Sequence, residues 1–259
     1  MQSRFLKQLI YGVFYLVIFG AIGFGFFKLF LQSAPSCFDN QKNGGELEVD
    51  CGGPLCASCE LRHLKPIEVT GVSIFNLQDG RVNVLVGFQN PNPGYGAETF
   101  AYTLTLFDDS GVALTSLPRT SFIYPGEIKF SVDPGITTSR KPARGEVLIV
   151  NPSWKSRDEF PRPIVIERDV TVELRSPRHE AIISGIARNE SPFLLSRLAV
   201  NVEIAGASST SLVSAVAAGK TVLETVASGE ERPFKVTVPA VFLGTVLREA
   251  VSISFEATQ

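Results

Sequence analysis

Apolar side chains follow three different rhythms along this chain. From Leu9 to Phe27 they are nearly continuous, and LIYGVFYLVIFGAIGFGFF holds no charged residue. A helix needs about 20 such residues to cross the hydrocarbon core of a bilayer. Residues 9–31 are therefore expected to form a transmembrane helix, with residues 1–8 as a cytoplasmic tail. From Cys37 to Cys59 large apolar groups are few, and turn formers such as Asn43-Gly44-Gly45 and Gly52-Gly53-Pro54 take over. From Pro66 onward apolar and polar residues alternate. Val82–Phe88 and Phe100–Phe107 read as strands, punctuated by Asp79-Gly80, Asn90-Pro91-Asn92-Pro93-Gly94 and Asp109-Ser110-Gly111. Outside the anchor no long segment has helical periodicity. Leu212–Ala227, rich in alanine and valine, reads either as a short helix or as two strands around Gly219.

The alternating region echoes itself. Gly87-Phe88-Gln89-Asn90-Pro91 is answered by Gly185-Ile186-Ala187-Arg188-Asn189-Glu190-Ser191-Pro192. Pro125-Gly126-Glu127-Ile128-Lys129-Phe130 is answered by Ser228-Gly229-Glu230-Glu231-Arg232-Pro233-Phe234. Both echoes lie about one hundred residues on, the size of one immunoglobulin-like sandwich. The expected fold class is mainly β: an N-terminal transmembrane helix, a small cysteine-rich clasp at 37–59, and two tandem immunoglobulin-like β-sandwiches at 66–155 and 163–259. Charges and prolines between Ser156 and Pro163 mark the boundary.

Arg4 and Lys7 precede the apolar run, which places the N-terminus in the cytoplasm and the bulk of the chain outside. Cleavage as a signal peptide is the competing reading. The run is longer than a usual signal core, however, and a cut after Ala34 would set Gln32 and Pro35 at unfavourable positions. Membrane lipid is thus an expected partner through this helix. Ala21 and Gly25 have the small-xxx-small spacing that lets two helices approach, so self-association is allowed.

All four cysteines, Cys37, Cys51, Cys56 and Cys59, fall in the clasp. A segment this short cannot bury a sufficient core and needs a covalent or metallic staple. Two disulfides are one reading, with three connectivities that spacing does not resolve. A zinc site built on Cys56-x-x-Cys59 is another, disfavoured outside the cytoplasm. The third adds calcium to the disulfides, on oxygens of Asp39, Asn43, Glu46 and Asp50. The segment resembles a small bacterial surface motif, C-x-D-x3-N-x2-E-x3-D-C-G-G-x-C-x2-C. Here it stands as Cys37, Asp39, Asn43, Glu46, Asp50, Cys51, Gly52, Gly53, Cys56 and Cys59, with one extra residue after Gly53. The resemblance implies a disulfide-stapled spacer, with cation binding by its acidic residues.

The β-region resembles the sandwich modules of the late-embryogenesis-abundant and FxLYD types. The resemblance rests on Val84–Pro93, Tyr102–Asp108 and Phe122–Glu127, and is weaker in the second half, where Val200-Asn201-Val202-Glu203-Ile204 replaces the aromatic strand. It implies non-catalytic domains and carries no catalytic residues.

No nucleophile elbow, zincin or P-loop pattern is present. His63 and His179 stand without partners in sequence, and His179 reads as a solvated strand end. Trp154, the single tryptophan, is expected in a core or interdomain seam. Asn189-Glu190-Ser191 fits a glycosylation pattern weakened by Pro192, and Ser139–Arg144 reads as a solvated loop. A net charge of −2 with scattered basic residues offers no stripe for nucleic acid. The expected function is therefore a single-pass, membrane-anchored extracytoplasmic binding or structural protein, not an enzyme, with a protein partner. The alternative is an accessory subunit or assembly factor of an envelope secretion or pilus-type machine.

Overall fold

The computed structural model describes residues 2–28, 36–77, 79–175, 180–205, 215–239 and 248–258. The chain divides into two compact units, Met1–Leu64 and Lys65–Gln259. In the first, helix α1 covers Gln2–Phe26, starting before the uncharged run because no breaker precedes Leu9. Its segment Leu6–Phe26 is long and apolar enough to cross a membrane, and side chains such as Leu16 and Phe19 are exposed. Residues 29–31 of the expected span lie outside the described residues.

The second unit is mainly β, with twelve strands in four antiparallel sheets among the described residues. Sheet β1-β2-β5 joins Glu68–Asn76, Arg81–Gln89 and Ile128–Thr137. Sheet β4-β3-β6 joins Ala113–Ile123, Tyr95–Phe107 and Arg144–Ser156. These two face each other over one core. Val82, Val84, Val86 and Phe88 on β2 meet Phe100, Tyr102, Leu104 and Leu106 on β3, every second residue inward as the pleat requires. Phe88 packs edge-on against Phe100 and Tyr102, with ring centroids 5.4 and 5.3 Å apart. Trp154 on β6 is half-buried against this same core.

The remaining strands build a second sandwich in the same order. Sheet β7-β8-β11 joins Val165–Arg175, Glu180–Asn189 and Glu231–Pro239. Sheet β10-β9-β12 joins Ala215–Val226, Leu195–Ala205 and Val251–Thr258. Leu198, Val200, Val202 and Ile204 on β9 face Ala181 and Ile183 on β8 and Val236 and Val238 on β11. The ambiguous stretch is one strand, β10, running through Gly219; residues 212–214 lie outside the described residues. Only glycine fits at 219, since a Cβ there would stand 2.8 Å from the Thr237 carbonyl oxygen.

The echoed residues form matching corners. Asn90 is 1% exposed; its side-chain amide donates to the Tyr95 and Tyr124 carbonyls at 2.7 and 2.9 Å, and its Oδ1 accepts the Asn92 N–H. Asn189, fully buried, donates to the Phe193, Val226 and Ala227 carbonyls, and its Oδ1 accepts the Ser191 N–H. Each asparagine also sends its backbone N–H to the glutamate of the Gly-Glu turn, Glu127 or Glu230. Each of those carboxylates accepts an N–H three residues back, from Tyr124 or Ala227. Gly126 and Gly229 turn these corners at φ of 65° and 75°, where a Cβ is strained. Asn189 therefore has no free amide to carry a glycan.

Candidate functional site

Cys37 is bonded to Cys56 and Cys51 to Cys59, with Cα atoms 5.6 and 4.9 Å apart. No cysteine is free, which leaves no thiolate for the zinc reading. The acidic residues of the motif hold the turns between the bridges. Asp50 Oδ1 accepts the backbone N–H groups of Asp39 and Asn40 at 3.0 and 2.9 Å. Glu46 Oε2 accepts those of Asn43 and Asp50 at 3.2 and 3.0 Å. Asp39 accepts the Gln41 N–H and the Asn43 side-chain amide at 2.9 and 2.8 Å. The Asn43 amide is the main reason the Asp39 carboxyl sits below its usual range. Short loops leave many backbone donors without a ladder, and a nearby carboxylate satisfies several at once.

Among the described residues, two groups bring three ligand atoms within 4.8 Å of one another: Cys37, Glu46 and Cys56, and Glu48, Cys51 and Cys59. Each group includes disulfide sulfurs. The oxygens of Asp39, Glu46 and Asp50 are instead engaged by N–H donors, while Asn43 Oδ1 is buried without a hydrogen-bond partner. Gly53, at φ 75°, passes so close to Gly45 that a Cβ would meet its carbonyl oxygen at 2.2 Å. The Gly-Gly pair of the motif is thus a steric requirement of the knot.

In the second unit, the seam between the sandwiches gathers most of the buried charge. β2 and β9 are buried on both faces because each sandwich turns a second face toward the other. Leu85, Val132 and Ala218 form a small apolar cluster there. Asn83 donates to the Ala218 carbonyl at 2.9 Å, and the Tyr124 hydroxyl donates to that of Ala257 at 2.7 Å. The connection between sandwiches is pinned by Phe160 stacked on Tyr124 and by Arg162 paired with buried Glu127.

At the centre of the seam, Lys129 donates to Ser121 Oγ at 2.9 Å and lies 4.0 Å from the Phe122 ring centroid. Glu256 Oε2 stands 4.0 Å from Lys129 Nζ and 3.6 Å from Lys220 Nζ. Asn201 donates to Glu256 Oε1 at 3.0 Å and to the Phe130 carbonyl at 3.2 Å. Burial lowers the Lys129 ammonium below its ordinary range, against the pull of Glu256 and Glu127. Burial alone would raise Glu256, but Lys129, Lys220 and hydrogen bonds from Ser131 and Asn201 outweigh it and hold the carboxyl low. Glu127 goes the other way, raised chiefly by burial.

Above this cluster opens a cleft of 730 Å³ between β3, β4 and β5 of one sandwich and β9, β10 and β12 of the other. Arg119 Nε donates to both Asp133 oxygens in its wall, at 2.9 and 3.2 Å. The arrangement can bind a polar ligand by charge and hydroxyl contacts. Sequence reasoning missed the seam because Lys129, Asn201, Lys220 and Glu256 occupy the polar positions of alternating strands, which read as solvent faces. The expected solvated loop is exposed at every position from Ser139 to Arg144 except Pro142, with Arg140 also paired to buried Asp108 at 2.7 Å and the Arg144 guanidinium 4.2 Å from the Phe107 ring centroid. His179 lies outside the described residues.

No protein-family model matches the sequence, and no curated protein does. Among solved structures 46 chains match. One is the crystal structure of red sea bream transglutaminase, at 13% identity and a TM-score of 0.22, covering 76% of this chain and 30% of that one. The chain therefore spans under a third of that protein's length, and a likeness this slight carries no argument about fold or function.

Proposed function

We propose that this is a single-pass, membrane-anchored binding protein whose two sandwiches are displayed outside the cytoplasm. The observation that carries the reading is an exposed apolar helix long enough to span a bilayer, followed in sequence by a knot closed with two disulfides. Disulfides persist on the oxidising side of a membrane, and nothing among the described residues buries the helix. The identical strand order and matching asparagine corners support descent of the sandwiches from one immunoglobulin-like module. The binding surface is the cleft between them.

Engineered cysteines at exposed Ser139 and Ser228, probed on intact cells with a membrane-impermeant reagent, test the topology. Labelling without lysis is the expected result. Labelling only after lysis overturns the reading.

A further inference from the structure

Every carboxylate lining the cleft already has a cationic partner. Glu98 pairs with Lys155 at 3.0 Å, Asp133 with Arg119 at 2.9 Å, and Glu256 lies between Lys129 and Lys220. The lining holds three cations, Arg119, Arg197 and Lys220, against these three carboxylates, but Glu98 and Glu256 take partners, Lys155 and Lys129, from outside it. Lys220 shares its one carboxylate and makes no hydrogen bond to a described residue, while Arg197 makes no ion pair with one.

The two stand at a defined spacing. Lys220 is paired across the sheet with Asn201, four residues from Arg197 on β9. At roughly 3.3 Å per residue that separates the two backbone positions by about 13 Å along the strand. The walls also present hydroxyls, from Thr99, Thr120, Ser121, Ser131 and Thr258, of which Ser121 accepts from Lys129 and Thr258 lies 3.0 Å from Ser196 Oγ. The volume lies within the range of sites for small organic ligands. A partner suited to these walls is linear, rich in hydroxyls and carries anionic groups at intervals.

We propose that the cleft binds an acidic oligosaccharide of the uronic-acid class, its carboxylates meeting Lys220 and Arg197 and its hydroxyls meeting the serine and threonine side chains. The inference rests on the binding-protein reading, but the labelling experiment judges that reading separately. External sandwiches that fail to bind a uronate overturn this inference alone.

Isothermal titration of the full-length protein in detergent tests it, using an oligogalacturonate of six residues, a neutral oligoglucoside of equal length and an oligoglutamate peptide. The expected result is binding of the oligogalacturonate that weakens with salt and falls about tenfold in Lys220→Met and in Arg197→Gln. Arg197 is exposed, so its variant keeps the test open should Lys220→Met fail to fold. No uronate binding, equal binding of the neutral sugar, tighter binding of oligoglutamate, or affinity indifferent to Arg197→Gln would each overturn it.

Discussion

The Lys129 ammonium lies 4.0 Å from the Glu256 carboxylate, joining β5 of the first sandwich to β12 of the second. Both side chains are largely buried, at 4% and 11% exposed. Removing one partner of a buried pair leaves the other uncompensated, typically at a cost of 3–5 kcal/mol. Glu256 serves two lysines, so Glu256→Gln is expected to destabilise more than Lys129→Met, by about 3 kcal/mol against about 1. Calorimetry of the two variants checks the order. Equal losses would show that Lys220 takes no part.

At the corners, Asn90→Ala and Asn189→Ala each strand several buried backbone acceptors, and each should lose about 2–4 kcal/mol in denaturant unfolding. The aspartate variants distinguish donation from shape. A carboxylate cannot donate to the Phe193, Val226 and Ala227 carbonyls, so Asn189→Asp should be no better than Asn189→Ala.

Glu203, 4% exposed on β9, has its carboxyl pushed up to about 7 by burial. A folded pKa raised above the ordinary 4.5 gives a contribution fully present below pH 4.5 and lost as pH rises through about 7. Glu203→Gln should therefore stabilise the protein at pH 8, by on the order of 2 kcal/mol, and leave it unchanged at pH 4. Melting curves at the two pH values test this, and a gain equal at both would remove titration as its cause.

In the clasp, non-reducing peptide mapping should recover Cys37 with Cys56 and Cys51 with Cys59. Sequence separations of 19 and 8 residues predict stabilisation of about 3 and about 2.5 kcal/mol in the loop-closure account. Proteolysis within the clasp should accelerate more in Cys37→Ser/Cys56→Ser than in the other double variant.

How much of this could be read in advance follows from what each pattern encodes. Alternation at Val82–Phe88 reports burial on one face, so β2 and its core were legible. The same pattern is silent on Leu85, which faces the other sandwich across the seam. Asn90 and Asn189 stood out as echoes because their neighbours turn at glycine and proline. Their role emerges only when Tyr124 and Val226, more than thirty residues away, return to accept their protons. Disulfide formation was legible from clustering, whereas the pairing depends on the path of the knot around Gly53. Nothing in sequence linked Lys129 to Glu256, since a charge on an alternating strand looks the same whether it meets solvent or another domain.

The bond from Tyr124 to Ala257 spans 133 residues. Synthesis proceeds from the N-terminus, so the strands of the first sandwich emerge from the ribosome well before β12. Until Glu256 and Ala257 arrive, Lys129 lacks its carboxylate and the Tyr124 hydroxyl its acceptor. The first sandwich must hold its shape through that interval on its own core, and the seam closes last. A product cut short before β12 would leave the Lys129 ammonium and the Tyr124 hydroxyl without these partners, a seam half-closed for the quality-control proteases and chaperones that survey newly made chains.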